Sequence, residues 1–516
     1  MWDRKYREDL VSKRDAAKMG GGEKRIAKQH ELGKHTAWER IEMLFDPGSF
    51  VEIQSLVESR GDAYGMAEKC IPGDGVVIGY GKVNGRTVYA SVEEFTVMGG
   101  TLGEYHSRKI CHIMDMALKM KAPYVAIYDS GGARIEEGIT SLDGYSSMFY
   151  RNTMASGVIP QIAVIMGPCA GGACYAPGLS DFIFMSEKTG HMFITGPKVV
   201  KTVIGEEVTS DELGGAKVQS EKSGVVHFKY PDDRECIEGV KHLLSYIPQN
   251  MDEHPPFDDS CEKVDRSDKL EDIVPDNQRK VYNVIDVINT FVDKDTLFEI
   301  QKDYARNIVV GFARLDGEVI GIIANQPQHM GGSLDCAASE KAARFIRFCD
   351  CFHIPLLTLE DVPGFLPGTG QEHGGIIRRG AKLLYAYAEA TVPKITLITR
   401  KAIGGAYICM NSKGMGADVV FAWPIAQTAV LGAEGAVDIL YGRELRAEND
   451  KGEHRKMLTE EYEEIYMNPY IAAKRGFIDE IILPEETREK LADSFRALKD
   501  KKLERISHKR HGNIPL

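Results

Sequence analysis

The chain has 516 residues, of which 43% are hydrophobic and 27% are charged, and its formal net charge is −12. This composition is typical of a folded globular protein and excludes a largely disordered one, while the acidic balance argues against a general nucleic-acid binder. The ten cysteines never form a C-x-x-C pair and no apolar stretch opens the chain, so we expect a cytoplasmic protein with reduced cysteines and no structural metal.

The predicted elements of the first half alternate between strands and helices. Apolar residues on both sides of Asn84-Gly85 predict a hairpin, because this dipeptide favours a tight turn. Residues 103–120 have apolar side chains at helical spacing. The apolar runs 124–128 and 162–166 predict buried strands, each followed by a glycine-rich turn. Such alternation is typical of an α/β fold, in which ligands bind beyond the carboxyl ends of the strands.

The segment 152–180 has no charged residue and is long enough to cross a bilayer. However, prolines and glycines interrupt it repeatedly. A buried strand, a glycine-rich turn and a buried helix explain the segment better than a membrane span does.

The second half of the chain repeats the first at an offset of 232 to 233 residues. The matched positions keep the same order in both halves. They pair Asn84-Gly85 with Asp316-Gly317, Gly99-Gly100 with Gly331-Gly332, Pro123 with Pro355, Asp129 and Gly132 with Asp361 and Gly364, Pro160 with Pro393, and Gly171-Gly172-Ala173 with Gly404-Gly405-Ala406. This period is too long for a solenoid and indicates two copies of one domain.

The repeat also indicates where the domains divide. Predicted strands recur in the second copy at 319–323, 356–359 and 395–398. Between the copies, residues 248–280 are acidic and proline-containing and lack apolar periodicity. We therefore predict an N-terminal domain at 1–250, a linker at 251–280 and a C-terminal domain at 281–516.

Each copy has two glycine-rich turns, each directly after a predicted strand. They lie at 130–134 and 170–173 in the first copy, and at 362–365 and 403–407 in the second. Consecutive glycines leave backbone N–H groups uncovered, and a following helix adds its dipole. Two converging turns would form an oxyanion hole, and we expect positive φ at Gly172 and Gly405. Tight packing turns are the alternative, but recurrence of the pairs in both copies favours function.

Other chemistry-bearing groups give weaker signals. The chain has neither a dinucleotide-binding G-x-G-x-x-G nor a P-loop. Ser130, Cys169 and Cys174 lie near the turns and could be nucleophiles, but no G-x-S-x-G motif surrounds them. Buried packing is the better interpretation of those side chains. A basic N-terminal segment with Lys24, Arg25 and Lys34 could hold phosphates or form a solvated helix face.

Long stretches of the chain resemble the carboxyltransferase subunit of biotin-dependent acyl-CoA carboxylases and decarboxylases. The resemblance is strongest to the propionyl-CoA carboxylase β subunit and the methylmalonyl-CoA decarboxylase α subunit. It runs nearly end to end. The matching stretches include GGGEKRIAKQHELGKHTAWER (20–40), MGGTLGEYHSRKI (98–110), DSGGARIEEG (129–138), MGPCAGGACYAPGLSDFIFM (166–185), MFITGP (192–197), ANQP (324–327), ASEKAARFIRFCDCFHIPL (338–356), the run from DVPGFLPGTG to KAIGGAY (361–407) and HGNIPL (511–516).

The resemblance implies an α/β fold of two tandem crotonase-like domains (the ββα superhelix) in a hexamer built as a trimer of dimers. It implies that acyl-CoA binds the N-terminal domain of one subunit, and that biotin on a separate carrier protein reaches the C-terminal domain of the dimer partner. The implied partners are a biotin carboxyl carrier protein and a biotin carboxylase subunit, or membrane decarboxylase subunits. Cofactor and substrate would supply base and nucleophile, while the protein supplies position and electrostatics.

The resemblance also assigns residues to the site. The implied catalytic amides are Gly132, Ala133, Gly171 and Gly172 at the thioester enolate, and Gly364, Phe365, Gly405 and Ala406 at the ureido oxygen of biotin. The implied acyl-CoA contacts are Lys24, Arg25, Lys34, Gly131, Arg134, Ala173, Thr195, Gly196 and Ile408. The implied contacts on the biotin side are Asn325, Gly404 and Tyr407.

Four residues depart from the family pattern. Trp38 replaces an Arg, which could alter contacts with the CoA phosphates, and Glu94 replaces a frequent Asp. Ile403 replaces an aromatic residue, and Ile408 replaces the Asp that propionyl-preferring members share. The acyl preference therefore stays open among propionyl or methylmalonyl, acetyl and butyryl groups.

Three functions stay open at this point. The leading one is the carboxyltransferase of an ATP-dependent acyl-CoA carboxylase. The second is the α subunit of a sodium-pumping methylmalonyl-CoA decarboxylase, which runs the same transfer in reverse. The third is a crotonase-like hydratase or hydrolase that works without biotin and needs a carboxylate or a Ser/His pair beside Gly132 and Gly172.

Overall fold

The computed structural model describes residues 3–62, 65–66, 70–447, 451–503 and 511–515. The described part of the first half contains one mixed sheet, flanked by helices. Its strands are β1 (Val51–Ile53), β2 (Val76–Val83), β3 (Arg86–Glu93), β4 (Tyr124–Ser130), β5 (Gln161–Ala170), β6 (Phe182–Ser186), β7 (His191–Phe193) and β8 (Phe228–Tyr230). Its helices are α1 (Arg4–Lys18), α2 (Glu23–Glu31), α3 (Ala37–Leu44), α4 (Glu104–Met120), α5 (Ile139–Ala155), α6 (Tyr175–Leu179), α7 (Pro197–Ile204), α8 (Ser210–Gly214), α9 (Ala216–Glu221) and α10 (Asp233–Leu244).

The second half is built in the same way. Its strands are β9 (Phe298–Ile300), β10 (Ile308–Leu315), β11 (Glu318–Asn325), β12 (Leu356–Val362), β13 (Lys394–Ile403), β14 (Val419–Ala422), β15 (Gln427–Ala429) and β16 (Glu480–Ile481). Its helices are α11 (Leu270–Ile273), α12 (Val284–Phe291), α13 (Cys336–Cys351), α14 (Thr369–His373), α15 (Ile376–Glu389), α16 (Gly404–Cys409), α17 (Ala433–Leu440), α18 (Gly442–Ala447), α19 (Lys451–Tyr466), α20 (Pro469–Lys474) and α21 (Thr487–Ala497).

The two sheets share one topology, which confirms the internal repeat and the α/β fold class. The strand order is β1-β2-β3-β4-β5-β6-β8, with β7 beside β5, and β9-β10-β11-β12-β13-β14-β16, with β15 beside β13. The first three strands of each sheet are antiparallel, and the remaining pairs are parallel. Every residue of β4 and of β12 is buried, which is why both read as continuous apolar runs.

The predicted hairpin forms between β2 and β3. Asn84 and Gly85 both have positive φ, as a tight two-residue turn requires. Asp316 and Gly317 repeat this geometry between β10 and β11. The match shows that the repeated turn residues encode the same local backbone.

The charge-free segment 152–180 contains the end of α5, the buried strand β5 and the short helix α6. This arrangement confirms the strand, turn and helix expected there. Among the described residues, no helix combines the length and the apolar character that a bilayer span would need.

The chain divides into two compact units, Met1–His254 and Pro255–Leu516. The segment predicted as a linker, 251–280, spans this division. Its residues Leu270 and Val274 are buried in the apolar core of the second unit, where they pack with α12. Part of the acidic segment therefore belongs structurally to the second unit.

Candidate active site

Two glycine-rich turns of the first unit lie at one edge of its sheet. The first follows β4 and the second follows β5, and these strands are adjacent and parallel, with Ser130 paired to Cys169. The register shifts between Tyr128 and Ser130, just before the first turn. Such an irregularity bends the strand at its end and changes the direction in which the following residues point.

The first turn is held by backbone hydrogen bonds to the segment 99–102. The Gly131 N–H donates to the carbonyl oxygen of Gly99 (2.9 Å), and the Leu102 N–H donates to that of Gly132 (2.9 Å). The Gly132 N–H is itself occupied, because it donates to Ser130 Oγ (3.2 Å). The neighbouring Ala133 N–H makes no hydrogen bond with another described residue. Ala133, rather than Gly132, is thus the donor open to a ligand.

The second turn begins with a short 3₁₀ helix at Gly171–Cys174. The first N–H groups of a helix have no acceptor within it, so the Gly172 amide has no partner inside the turn's own helix. The expected positive φ at Gly172 is wrong, since Gly171 has it (66°). The left-handed backbone conformation therefore falls on the first glycine of the pair.

The two turns approach each other closely. A Cβ atom at Gly132 would lie 3.0 Å from the carbonyl oxygen of Ala170, the residue that starts the second turn. Gly132 also has φ 101°, which side chains rarely adopt. The first turn therefore requires glycine both for its backbone conformation and for this close approach.

The second unit repeats the arrangement at the ends of β12 and β13. The Leu334 N–H donates to the carbonyl oxygen of Gly364 (3.1 Å), and the Leu366 N–H donates to that of Leu334 (2.7 Å), so Phe365 takes the position that Ala133 has in the first unit. The register again shifts just before the turn, between Glu360 and Val362. Like that of Ala133, the Phe365 N–H has no partner among the described residues.

The fourth turn opens α16. Gly404 has φ 66°, so here too the expectation of positive φ at the second glycine, Gly405, is wrong. The first-turn N–H groups of α16, including those of Gly405 and Ala406, have no intrahelical acceptor. A Cβ atom at Gly405 would meet no described atom within 4 Å. A side chain could therefore be placed at Gly405 without contacting another described residue.

Lys34 takes part in a buried charge cluster behind the first turn. Its Nζ lies 2.5 Å from Asp129 Oδ1, and Arg40 Nη1 lies 3.0 Å from Asp129 Oδ2. Arg40 also binds Asp233, with 3.0 Å from its Nε to Oδ2, and all four side chains are buried. The cation of Lys34 therefore neutralises Asp129, the residue that ends the apolar run of β4, and does not face solvent.

Arg134 is likewise buried, with only 1% of its surface exposed. Its Nη1 lies 2.8 Å from Asp74 Oδ1 and 2.7 Å from Glu137 Oε1, and its Nη2 donates to the carbonyl oxygen of Thr101 (2.8 Å). The guanidinium group is thus occupied by internal acceptors and is not presented to a ligand.

The remaining acyl-CoA candidates lie nearer the surface, except for one. Lys24 and Arg25 are exposed on α2, and Arg25 Nη1 donates to the carbonyl oxygen of Thr96 (3.0 Å). Gly131 and Thr195 are exposed and Gly196 precedes α7, whereas Ala173 is buried in the second turn. Lys24 and Arg25 are therefore the predicted phosphate-binding cations that keep an exposed position.

The candidates on the biotin side differ in exposure. Asn325 is buried; its Nδ2 donates to the carbonyl oxygen of Gly332 (3.1 Å) and its Oδ1 accepts from the Asp361 N–H (3.2 Å). Tyr407 is half-buried, and burial together with the charge of Glu360 raises its pKa to about 12. Asn325 therefore holds the backbone just before the third turn, at 362–365, while Tyr407 lies on α16, the helix that begins at the fourth turn.

Two of the sequence departures have local packing roles. Trp38 packs edge-to-face on Phe50, with 6.0 Å between ring centroids, and Lys18 Nζ lies 4.8 Å above its ring. Glu94 accepts from the N–H of Ala37 (2.8 Å) at the start of α3. Both residues therefore fasten the N-terminal helices. Ile403 is buried at the end of β13.

Sequence reasoning missed the side chains that support the turns from inside. Glu93 Oε2 accepts from the Asp129 N–H (2.8 Å), as Asn325 does from that of Asp361, and burial raises the pKa of Glu93 to about 8. Tyr145 packs behind the second turn, with its ring 3.3 Å from a Cβ placed at Gly172. The repeat offset of 232 residues pairs Glu93 with Asn325, and this match could have indicated that Glu93 supports a turn. No feature of the sequence indicated such a role for Tyr145.

Comparisons with known proteins agree with this geometry. Residues 28–514 match the carboxyl transferase domain family. The chain is 55% identical over 510 residues to the carboxyltransferase subunit of propionyl-CoA carboxylase from Haloferax mediterranei, covering 99% of both chains. It is 52% identical to the α subunit of methylmalonyl-CoA decarboxylase from Propionigenium modestum, covering 99% of this chain and 98% of that one.

A solved structure is also similar along the whole chain. The transcarboxylase 12S structure with methylmalonyl-CoA and methylmalonic acid bound, described as a hexamer, is 49% identical to this chain. It superposes with a TM-score of 0.96 over 100% of this chain and 99% of that one. The two sheets of one topology are thus two tandem crotonase-like domains. With its paired N–H turns and these matches, the chain belongs to the carboxyl transferase family and is a carboxyltransferase.

Proposed function

We propose that this carboxyltransferase moves a carboxyl group between carboxybiotin on a separate carrier protein and the α-carbon of a short-chain acyl-CoA. The observation that carries the proposal is the presence of two pairs of turns, each with open backbone N–H donors, in two copies of one fold. One pair suffices for one developing oxyanion, so two pairs suit a reaction with two. Propionyl-CoA and methylmalonyl-CoA are the leading substrates, because relatives at 52–55% identity are named for them.

The residues of each unit have separate tasks in this proposal. The amides of Ala133 and Gly172 stabilise the oxygen of the thioester enolate, and those of Phe365, Gly405 and Ala406 stabilise the ureido oxygen of biotin. When bound, biotin supplies the carboxyl group and the nitrogen base for the α-proton. The backbone donors are fixed before the substrates arrive, so they need no reorganisation during the reaction.

The direct test is carboxyl transfer between methylmalonyl-CoA and biocytin, used as a soluble substitute for the carrier protein. The purified chain should form propionyl-CoA from methylmalonyl-CoA only when biocytin is present. Loss of methylmalonyl-CoA at the same rate without biocytin would contradict the proposal. Propionyl-CoA, acetyl-CoA and butyryl-CoA with carboxylated biocytin then test the carboxylation direction.

The third function, a biotin-independent hydratase or hydrolase, would need a free base beside the first unit's turns. Asp129 and Glu137, two of the carboxylates near the first turn, are each held by a buried cation. Ser130 Oγ donates to the carbonyl oxygen of Gly100 (2.6 Å). These interactions leave neither the carboxylates nor the serine poised for general base catalysis.

We further propose a cytoplasmic hexamer, a trimer of dimers, whose sites are each formed by the first unit of one subunit and the second unit of its dimer partner. The solved transcarboxylase 12S core, which is described as a hexamer, supports this assembly. A biotin carboxyl carrier protein and a biotin carboxylase subunit would complete the enzyme.

Subunit complementation tests the shared site. Gly172→Val and Gly405→Val subunits should each be inactive alone, whereas their co-expressed mixture should recover activity, because one of the two sites in a mixed dimer receives two unmodified units. The control is the subunit that carries both substitutions, expressed alone, which should stay inactive. If each site lay within one subunit, the mixture would be as inactive as the single variants.

Acyl selectivity is expected to depend on Ile408. This residue follows the fourth turn and is 46% exposed, and an apolar β-branched side chain needs no polar partner. An apolar pocket discriminates by only about 1–3 kcal/mol per methylene, so we expect broad acceptance of acetyl to butyryl groups. Ile408→Asp should shift the ratios of kcat/KM among acetyl-, propionyl- and butyryl-CoA. Ile408→Val is the matched control, and unchanged ratios in an active Ile408→Asp enzyme would exclude this position from the pocket.

The second candidate is the α subunit of a sodium-pumping methylmalonyl-CoA decarboxylase. The 52% identity to the Propionigenium modestum subunit favours it, and the chemistry of this chain would be the same in the reverse direction. Mass spectrometry of proteins that co-purify with the chain separates the two candidates. A biotin carboxylase subunit would indicate the carboxylase, and a polytopic membrane subunit would indicate the decarboxylase.

A further inference from the structure

The first turn is supported by a buried cluster of charged side chains that its counterpart in the second unit lacks. The cluster consists of Arg134, Asp74 and Glu137, all at least nine-tenths buried. The repeat offset places Leu366, Arg306 and Thr369 at the equivalent positions of the second unit. The cluster is therefore a feature of the acyl-CoA side alone.

Arg134 connects three segments that meet at the first turn. Its Nη1 reaches Asp74 before β2 (2.8 Å) and Glu137 after the turn (2.7 Å), and its Nη2 donates to the carbonyl oxygen of Thr101 (2.8 Å). Glu137 Oε2 in turn accepts from the Glu104 N–H at the start of α4 (2.6 Å). The turn is thereby tied to the start of one strand and of one helix.

The backbone beside Arg134 carries the open donor. Ala133, whose N–H is free, lies between Gly132 and Arg134, and both neighbours are bonded to Leu102, at 2.9 Å each. The Arg134 side chain adds a third bond to the same segment through the carbonyl oxygen of Thr101, so losing it would loosen the segment that holds the Ala133 amide. Donor positions must be held within a fraction of an ångström, because a displacement of 1 Å can cost about 10²-fold in rate.

We propose that Arg134 is a positioning residue that fixes the Ala133 amide of the first turn through Asp74, Glu137 and Thr101, and that it makes no contact with CoA. Its kinetic consequence rests on the proposed function. A planar guanidinium is required, because one side chain must serve three acceptors in different directions. A lysine keeps the charge that Asp74 and Glu137 need but has a single nitrogen.

The test compares Arg134→Lys with Arg151→Lys in the transfer between methylmalonyl-CoA and biocytin. Arg151 makes a two-point pair with Asp115 on the outer helices, at 2.8 and 3.1 Å, and its replacement should change kcat by less than about twofold. Arg134→Lys should lower kcat by about 10- to 100-fold with KM for the acyl-CoA nearly unchanged. A raised KM with normal kcat, as for a CoA-binding cation, or no change in either, would overturn the proposal.

Hydrogen exchange supplies a readout that does not depend on activity. In Arg134→Lys, the amides of 99–102 and 131–134 should exchange faster than in the wild type, while those of 364–366 should not change. Unaltered exchange at 131–134 would contradict the positioning role. If the wild type transfers no carboxyl group, the proposed function fails, and hydrogen exchange alone decides about Arg134.

A second variant covers the case in which Arg134→Lys does not fold. Glu137→Gln keeps Arg134 and removes one of its charged partners. A lower kcat with unchanged KM supports the proposal, and a normal kcat overturns it.

Discussion

Gly405→Val is expected to lower the rate of carboxyl transfer by about 10²–10³-fold, the usual effect of losing an oxyanion donor. A branched side chain at this position would cover the first-turn amides of α16. The protein should still fold, because φ at Gly405 is not positive and a Cβ there meets no described atom within 4 Å. The measurement is kcat with methylmalonyl-CoA and biocytin, alongside circular dichroism and gel filtration.

The matched control for this substitution is Gly414→Val. Gly414 is also exposed and lacks positive φ, and a Cβ there would likewise meet no described atom within 4 Å. However, it lies outside α16, in the 3₁₀ helix Lys413–Met415. It should retain near-normal turnover. Near-normal turnover in folded Gly405→Val would exclude its amide from the hole. Gly172→Val tests the amide less directly, because its Cβ would lie 3.3 Å from the ring of Tyr145 and the substitution would also disturb packing.

Asp129→Asn is expected to destabilise the protein by about 3–5 kcal/mol, because it leaves the buried cations of Lys34 and Arg40 without their shared carboxylate. The free energy of unfolding from urea titration at fixed protein concentration measures the effect. Asp115→Asn is the control, since its partner Arg151 lies near the surface, and exposed pairs contribute about 0–1 kcal/mol.

A double variant separates the structural role of Lys34 from a role in binding CoA. Asp129→Asn with Lys34→Met should recover part of the lost stability, because it removes one of the unpaired buried charges. Equal losses in the free energy of unfolding for Asp129→Asn and Asp115→Asn would show that the buried cluster stabilises the protein no more than a surface ion pair does. A large rise in KM for acyl-CoA in a stable Lys34→Met enzyme would instead indicate direct contact with the ligand.

Much of the fold was predictable from local pattern. Buried strands such as β4 and β12 read as short apolar runs, and a parallel sheet covered on both faces requires such runs. The Asn84-Gly85 turn was predictable because few residue pairs adopt positive φ at both positions. The long stretches that resemble the family indicated which turns form the active site. However, positive φ was predicted at Gly172 and Gly405, and the structure has it one residue earlier, at Gly171 and Gly404.

The sequence by itself therefore determined the two copies, several of their strands and the location of the four turns, because these depend on residues that are near one another in the chain. Tertiary structure decided which amides are free: the Gly131 N–H donates to the carbonyl oxygen of Gly99, which lies 32 residues earlier in the chain, and the Ala133 N–H is left open. It also decided that Lys34 and Arg134 face inward, since Lys34 meets Asp129 across 95 residues and Arg134 meets Asp74 across 60. A cation in the sequence has the same charge wherever it points, and only folding selects its partner.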